Sequence, residues 1–163
     1  MGAEPTMNLL PPRTRPVTIS GGIERYSSLW MNIASIAAQE STATRRKVGC
    51  AVVTSSMGVY TGYNGVLRED NVCEDENGLT KVEVIHAESN ALDKMLKEGI
   101  SSKDAVVYVT LSPCVECAKR LANAGISAVY YKEKYKCSAG IDYLVSNRVL
   151  CLSWDHLLYG EKK

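Results

Sequence analysis

The first third of the chain changes from a helical to a strand-like pattern of apolar residues. Between residues 23 and 39, apolar side chains recur three or four positions apart, as in a helix that buries one face. Residues 48–54 and 58–64 are rich in β-branched and aromatic residues, and the short polar stretch between them suits a hairpin. We therefore predict a first helix followed by two antiparallel strands.

In the rest of the chain, helical and strand-like patterns alternate. The predicted elements are a helix over residues 86–97, a strand over 105–110, a helix over 113–124, a strand over 128–131, a weaker helix over 139–147 and a strand over 149–154. A helix that connects two strands of one sheet makes them parallel, with a right-handed crossover. The sheet is thus predicted to end with a strand parallel to its neighbour.

In two segments the apolar residues recur with neither a helical nor a strand-like period. Residues 1–22 contain four of the five prolines and end in two glycines, which predicts an arm without regular structure and leaves residues 23–163 as one domain. Residues 65–81 are charged, with Asn71 and Gly78 among them, and predict a long loop. Long loops inside compact domains are usually functional, so this loop is expected to have a role.

Composition and charge exclude some classes of function. The chain has 163 residues, of which 45% are hydrophobic, and a formal net charge of +1. A nearly neutral protein has no overall field that attracts polyanions, so a nucleic-acid polymer is not expected as a partner. Apolar runs fall short of the roughly 20 residues that span a bilayer, and no signal-peptide pattern is present. We expect a cytoplasmic protein with no membrane partner.

The six cysteines are too few for a disulfide scaffold, and clustered cysteines in a cytosolic protein more often bind metal or perform chemistry. Cys50 and Cys151 fall in predicted strands and are expected to be small core residues. Cys73 and Cys137 fall in loop-like segments, where they could be exposed thiols or further metal ligands.

Two other cysteines are spaced to bind one metal ion. Cys114 and Cys117 lie one helical turn apart in the predicted third helix, so both sulfurs can reach a single zinc ion at about 2.3 Å. Pro113 suits the first helical position and Ser112 suits the N-cap. We therefore predict both sulfurs in the first turn, where the helix dipole favours thiolate over thiol.

His86 and Glu88 open the predicted second helix. His86 can supply a third ligand, and three protein ligands leave the fourth tetrahedral position for water, as in catalytic zinc sites. Glu88 shares a helical stripe with Ala91, Leu92 and Met95, which predicts that its carboxylate points into the site. Because two thiolates cancel the charge of zinc, the metal should acidify water less than it would with neutral ligands, and an adjacent base is needed.

Taken alone, each half of this pattern has an explanation other than a catalytic zinc site. A C-x-x-C pair alone could be a redox pair or half of a structural zinc site, and a lone H-x-E is usually accidental. Together, His86-Ala87-Glu88 and Pro113-Cys114-Val115-Glu116-Cys117 form the H-x-E…P-C-x-x-C signature of zinc deaminases. The combination favours a catalytic zinc site.

With these motifs and the Gly-Tyr-Asn-Gly run at residues 62–65, the chain resembles the cytidine deaminase superfamily, and specifically the deoxycytidylate (dCMP) deaminases. The resemblance extends over roughly residues 25 to 155. It implies an α/β fold in three α-β-α layers around a five-stranded mixed sheet. It also implies zinc-dependent hydrolysis of dCMP to dUMP and ammonia, a step in the supply of dTTP precursors.

The resemblance assigns roles to individual residues. His86, Cys114 and Cys117 would bind zinc, and Glu88 would take a proton from the attacking water, deliver it to N3 and assist the departure of ammonia. Asn64 would hydrogen-bond the sugar or the base. The remaining implied substrate contacts are backbone groups of Ala87 and Ser112 at the pyrimidine edge. For the phosphate, the available groups are cationic and hydrogen-bonding residues before the first strand and after the fourth, with Arg46, Tyr135 and Lys134 as the expected contacts.

Regulation is also implied by the resemblance. Deaminases of this branch are commonly hexamers that dCTP activates and that dTTP inhibits together with Mg²⁺. The expected effector region is Gly62, Tyr63, Gly65 and Arg68, which would give the loop over residues 65–81 its role. The chain departs from the family here: the family often has Pro and Gly shortly after the Gly-Tyr-Asn-Gly motif, whereas this chain continues with Val66.

Two alternatives stay open at this point. The same zinc and carboxylate could act on a cytosine or adenine within nucleic acid, although the near-zero net charge argues against it. The chain could also be a zinc-stabilised interaction module without catalysis. Glu88 argues against that alternative, because a structural site has no use for a buried carboxylate that is not a ligand.

Overall fold

The described residues of the computed structural model are 23–67 and 69–160. The helices are α1 (Ser27–Gln39), α2 (Ala87–Lys97), α3 (Val115–Asn123), α4 (Ala139–Ser146) and α5 (Trp154–Tyr159), with a 3₁₀ turn (Glu24–Tyr26) before α1. The strands are β1 (Gly49–Val53), β2 (Val59–Tyr63), β3 (Val106–Leu111), β4 (Ala128–Glu133) and β5 (Leu150–Ser153). The predicted arm over residues 1–22 and Arg68 lie outside the described residues.

The five strands form one mixed sheet in the order β2-β1-β3-β4-β5. Strand β1 is antiparallel to both β2 and β3, whereas β3, β4 and β5 are parallel to one another. The parallel pairs are connected by α3 and α4, as the alternating pattern predicted. The predicted mixed sheet and the parallel last strand are therefore confirmed.

The sheet buries both of its faces. Side chains of β1 alternate between two hydrophobic clusters: Cys50 and Val52 pack with α2, α3 and α4, whereas Ala51 and Val53 pack with α1 and α5. This alternation follows from the two-residue period of a strand, and it places helices on both faces of the sheet. Cys50 and Cys151 are buried core residues, as predicted.

The end of the chain differs from its prediction. The apolar run over residues 149–154 was expected to be one strand, but β5 stops at Ser153 and α5 begins at Trp154. The Ser153 hydroxyl accepts a hydrogen bond from the backbone N–H of His156 at 3.2 Å, which caps α5. Among the described residues, no helix has the length and apolar content needed to cross a bilayer.

Helix α2 packs against β2 with no room for a side chain at Gly62. A Cβ atom there would lie 2.1 Å from the carbonyl oxygen of Ala87 and 2.6 Å from the backbone nitrogen of Ala91. Both atoms belong to the helix main chain, which cannot move without shifting α2 as a whole. This glycine therefore sets the distance between the sheet and the helix that begins with Ala87 and Glu88.

Replacement of Gly62 by alanine is expected to lower the free energy of unfolding by at least about 2 kcal/mol, because the added methyl group overpacks a main-chain contact. Urea unfolding followed by circular dichroism measures the change. Gly65→Ala is the matched control: a Cβ there would have its nearest neighbour at 3.4 Å, an ordinary contact. Equal stability of the two variants would contradict this account of Gly62.

Candidate active site

The ends of two helices meet at the candidate site. His86 and Cys114 are the residues immediately before α2 and α3, and both have extended backbone, with ψ of 156° and 168°. Their side chains leave the chain where it turns from extended to helical conformation. Cys117 follows within the first turn of α3.

The prediction of the residue that caps α3 at its N-terminus is wrong. Cys114, rather than Ser112, occupies the N-cap, and the helix begins at Val115 instead of Pro113. The Ser112 hydroxyl accepts a hydrogen bond from the backbone N–H of Tyr135 at 2.8 Å. It thereby ties the segment after β4 to the turn before α3.

Three ligand atoms converge at the site. The Nδ1 atom of His86 lies 3.5 Å from Sγ of Cys114 and 3.4 Å from Sγ of Cys117, and all three atoms lie within 4.8 Å of one another. Tetrahedral zinc with Zn–S of about 2.3 Å and Zn–N of about 2.0 Å requires nitrogen–sulfur separations of about 3.5 Å. The three residues therefore fit a zinc ion.

The other cysteines do not extend this group. Cys73 is buried, with its sulfur 3.6 Å from the Thr42 hydroxyl, and Cys137 is exposed. Within residues 23–67 and 69–160, the only cluster of three metal donors is His86, Cys114 and Cys117. Cys73 is thus not an exposed thiol, and neither Cys73 nor Cys137 belongs to a second three-donor cluster in this part of the chain.

Hydrogen bonding within the group adjusts its ionisation. Hydrogen bonds with the Cys117 thiol and the His86 ring lower the pKa of Cys114 to about 3. The hydrogen bond with Cys114, followed by burial, raises the pKa of Cys117, and a hydrogen bond with Cys114 also raises the pKa of His86. Zinc binds thiolates and neutral imidazole, so metal binding releases the protons that these groups hold.

Glu88 is next to the metal donors without being one of them. It lies in the first turn of α2, with 4% of its surface exposed, and burial is the largest cause that raises its pKa. A carboxyl group with a raised pKa can both accept and donate a proton near neutral pH. As predicted, Glu88 lies on the buried stripe of α2 with Ala91, Leu92 and Met95, and its side chain borders the cavity.

Helix α4 supports the turn that carries Cys114. A Cβ atom at Gly140 would lie 2.0 Å from the carbonyl oxygen of Pro113 and 2.9 Å from the carbonyl carbon of Cys114. The helix backbone therefore packs directly on the metal-binding turn. Sequence reasoning missed this contact; its one signal was a glycine near the start of a predicted helix, where alanine would be more stable.

Two of the three metal donors, His86 and Cys114, border a cavity of about 400 Å³, within the usual range for small-molecule sites. Its buried end is formed by Ala87, Glu88 and Ser112, and its exposed end by charged residues. The lining residues predicted from the sequence are Asn64, Ala87, Glu88, Ser112, His86, Cys114, Arg46 and Tyr135. The cavity is thus apolar and acidic at its base, and its mouth carries several cations.

Some lining residues differ from the expectation. Lys134 is not among them, whereas Lys136 is, with its Nζ 5.9 Å from the centre of the Tyr135 ring. Glu74 and Thr80, from the long loop, also line the cavity and had no sequence signal. An acidic or hydroxyl side chain in a segment without periodicity is most often simply solvated, so only the fold shows that these two residues reach the site.

Asn64 ties two segments of the chain together beside the cavity. Its Oδ1 accepts from the backbone N–H of Val48 at 2.8 Å, and its Nδ2 donates to the carbonyl oxygen of Arg46 at 2.8 Å. A carboxamide has two donor hydrogens and two acceptor positions, so one of each is left for a ligand. The side chain of Arg46 forms an ion pair with Glu133.

The residues expected to form an effector region have packing roles in this structure. Gly62 contacts α2, and the Tyr63 ring lies 5.9 Å from Nζ of Lys94. Gly65 forms two backbone hydrogen bonds with Ile85, at 3.1 and 2.8 Å. None of Gly62, Tyr63 and Gly65 lines the cavity described above.

Comparison with known proteins agrees with this geometry. The family model for the cytidine and deoxycytidylate deaminase zinc-binding region matches residues 25–133. Mouse deoxycytidylate deaminase is 40% identical over 123 residues, and the match covers 68% of this chain and 66% of the mouse protein. The ComE operon protein 2 of Bacillus subtilis is 36% identical over 115 residues, covering 68% of this chain and 61% of that protein.

A solved structure is similar over most of its length. The crystal structure of dCMP deaminase from the cyanophage S-TIM5, in complex with dCMP and dUMP, has a TM-score of 0.75 and 36% sequence identity. The match covers 79% of this chain and 96% of the cyanophage chain. By contrast, this chain spans less than two thirds of the length of the mouse and Bacillus relatives. The family match, the fold and the His-Cys-Cys cluster together show that the chain belongs to the cytidine and deoxycytidylate deaminase family.

Proposed function

We propose that this protein catalyses the hydrolytic deamination of dCMP to dUMP and ammonia. The observation that carries the proposal is the buried Glu88 carboxyl group beside a three-donor metal cluster, at the closed end of a cavity whose mouth is cationic. A cavity of this kind suits a small base at its closed end and a phosphate at its open end. The similarity to a cyanophage enzyme solved with dCMP and dUMP supports the same substrate.

The metal and Glu88 divide the chemistry between them. Zinc held by His86, Cys114 and Cys117 would supply an acidified water as the nucleophile. The Glu88 carboxylate would accept a proton from the attacking water and deliver it to N3 of the pyrimidine as the water oxygen bonds to C4. Glu88 would then take the proton of the new C4 hydroxyl group and carry it to the amino group, so that the C4–N4 bond breaks, ammonia leaves and the C4 carbonyl and N3–H of dUMP remain.

Backbone groups at the closed end would orient the pyrimidine. Ala87 is the first residue of α2, and backbone N–H groups in the first turn of a helix have no partner within the helix. Its N–H can therefore donate to the O2 atom of the base. The Ser112 N–H is already bonded to the carbonyl oxygen of Glu133 at 2.9 Å, so its own carbonyl oxygen is the group suited to accept from the amino group.

The sugar and phosphate would lie toward the cavity mouth. The free hydrogen-bonding positions of Asn64 suit a sugar hydroxyl or the base, and Arg46 and Tyr135 border the same space. Lys134 stays a predicted phosphate contact, and the position of Lys136 in the lining makes it the better placed of the two lysines. The phosphate would compete with Glu133 for the Arg46 guanidinium, which is the group best suited to bidentate binding of an anion.

Regulation and assembly stay predictions of the family resemblance. They comprise activation by dCTP, inhibition by dTTP with Mg²⁺, a hexameric state, a cytoplasmic location and a place in the supply of dTTP precursors. The contacts of Gly62, Tyr63 and Gly65 connect the region expected to bind effectors to α2 and to Ile85. An effector bound beside them would therefore act on the helix that carries Glu88.

The zinc-loaded protein is expected to convert dCMP to dUMP with kcat/KM at least about tenfold above that for deoxycytidine, because a phosphate adds charge-assisted hydrogen bonds. Ammonia release and chromatography of the products measure both reactions, with a cytosine-containing oligonucleotide as the third substrate. Conversion of the oligonucleotide alone would contradict the proposal and favour a deaminase that acts on nucleic acid.

Glu88→Gln is expected to lower kcat by at least about 100-fold, because glutamine cannot carry protons, while zinc content and unfolding temperature stay unchanged. The measurements are single-turnover kinetics, elemental analysis and calorimetry. Glu116→Gln is the matched control, since Glu116 is exposed in the same motif and pairs with Lys119 at 3.0 Å. Turnover by the Glu88 variant within a few fold of the unmodified protein would remove the proton-transfer role.

Arg46→Ala is expected to raise KM for dCMP about tenfold and to change KM for deoxycytidine less than twofold, because only dCMP carries a phosphate. Steady-state kinetics with both substrates measure the effect. Arg25→Ala removes the same charge from an exposed arginine outside the cavity lining and serves as the comparison. If Arg46→Ala affected both substrates equally, Arg46 would not be a phosphate contact.

A further inference from the structure

Part of the long loop folds back on itself as a small hairpin. Glu74 and Thr80 form an isolated antiparallel bridge, and the backbone N–H of Lys81 bonds to the carbonyl oxygen of Cys73 at 2.9 Å. At the tip, Oδ1 of Asp75 accepts from the backbone N–H groups of Asn77 and Leu79 at 2.8 and 2.9 Å. We call residues 74–80 the loop hairpin. Its two ends, Glu74 and Thr80, line the cavity.

The loop hairpin holds the segment that carries two arginines of the cavity mouth. Oε1 of Glu74 accepts from the backbone N–H of Thr44 at 2.9 Å and from that of Arg45 at 3.1 Å. The Thr80 hydroxyl accepts from Nη1 of Arg45 at 3.4 Å. One carboxylate oxygen thus fixes two consecutive peptide groups. We call residues 44–46 the arginine segment.

The arginine segment is outside any helix or strand, so its position depends on contacts of this kind. On one side, Nδ2 of Asn64 donates to the carbonyl oxygen of Arg46 at 2.8 Å. On the other side, Glu74 holds Thr44 and Arg45. Asn64, directly after β2, and Glu74, in the loop hairpin, therefore hold the segment from two sides, and the direction in which its arginines leave the backbone follows from both.

The charge of Glu74 makes a direct phosphate contact unfavourable. Hydrogen bonding from the backbone of Arg45 is the largest cause that lowers the pKa of Glu74, so the side chain is a carboxylate at neutral pH. An anion that borders a cationic cavity mouth repels a phosphate and, taken alone, weakens its binding. Its two backbone hydrogen bonds supply the reason for a carboxylate at this position.

We propose that Glu74 is the positioning residue of the phosphate subsite: by binding the Thr44 and Arg45 N–H groups, it places Arg45 and Arg46 to receive the 5′-phosphate of the substrate. The inference rests on the proposed function, because it takes a nucleoside monophosphate as the ligand. The two roles of Glu74 have opposite signs. Loss of the charge favours phosphate binding, whereas loss of the hydrogen bonds weakens it.

Two substitutions separate these roles. Glu74→Gln removes the charge and keeps an oxygen that can accept from both N–H groups, whereas Glu74→Ala removes the charge and the acceptor together. Glu76→Gln is the matched control, an exposed acid at the tip of the same loop hairpin. Each variant is made in two forms: the otherwise unmodified protein for kinetics, and the Glu88→Gln protein, in which binding can be measured by calorimetry without turnover.

Glu74→Ala is expected to weaken dCMP binding about tenfold and to change deoxycytidine binding and kcat by less than about twofold. The weakening is expected to be absent when position 74 carries glutamine instead of alanine. The Glu74→Gln protein is expected to bind dCMP as tightly as the unmodified protein, or up to about threefold more tightly. Glu76→Gln is expected to leave dCMP binding unchanged. This pattern isolates a contribution that acts only on the phosphate.

Three results would overturn the proposal. If Glu74→Ala weakened the binding of dCMP and of deoxycytidine equally, the change would be a general loss of structure. Unchanged dCMP affinity would show that the hydrogen bonds from Glu74 to the arginine segment have no effect on phosphate binding. Tighter dCMP binding in both variants would show that Glu74 acts only as a repelling charge. The proposed function has its own readout: absence of dCMP turnover by the unmodified protein would end that proposal, while the calorimetric comparison would still decide the role of Glu74.

Discussion

One imidazole nitrogen and two sulfur atoms, each within about 3.5 Å of a neighbour, are the point around which this structure is built. They come from two segments 28 residues apart in sequence, so their meeting depends on how two helices are placed on one sheet. Gly62 allows the main chain of α2 to touch β2, and Gly140 allows the main chain of α4 to touch the turn that carries Cys114. Both contacts are made by backbone, which makes the position of the donors rigid.

The placement of the helices on the sheet also gives the two ends of the cavity different electrostatic character. Burial at the closed end raises the pKa of Glu88, where a group that exchanges protons is needed. Cations gather at the open end, where Arg46, Arg45 and Lys136 are exposed to solvent. A ligand with a neutral base and an anionic tail therefore has one favourable orientation, and the fold supplies it without any large net charge.

Much of this organisation could be predicted from the sequence, because its signals are local. Periodicity predicted most of the helices and strands, and the spacing of His86, Glu88, Cys114 and Cys117 predicted the three donors that the fold brings together and the buried carboxyl group beside them. The cap of α3 was misjudged because Ser112 and Pro113 have stronger capping preferences than Cys114. The extended backbone of Cys114 is the ordinary conformation of an N-cap residue, and here it places the sulfur next to the His86 ring.

The contacts that sequence reasoning missed join segments that are distant in the chain. Glu74 lies 30 residues from Thr44, and its role is visible only when the loop hairpin folds against the arginine segment. Lys136 and Lys134 are indistinguishable by residue type, and only the direction of the chain after β4 decides which of them lines the cavity. Residues that act through a tertiary contact have no periodic or motif signal.

The most direct test of the central claim is zinc K-edge X-ray absorption of the purified protein. The account predicts one zinc ion per chain with two sulfur scatterers at about 2.3 Å and two nitrogen or oxygen scatterers at about 2.0 Å, one from His86 and one from solvent. A shell of three or four sulfur atoms, or a protein without bound zinc after loading, would contradict it.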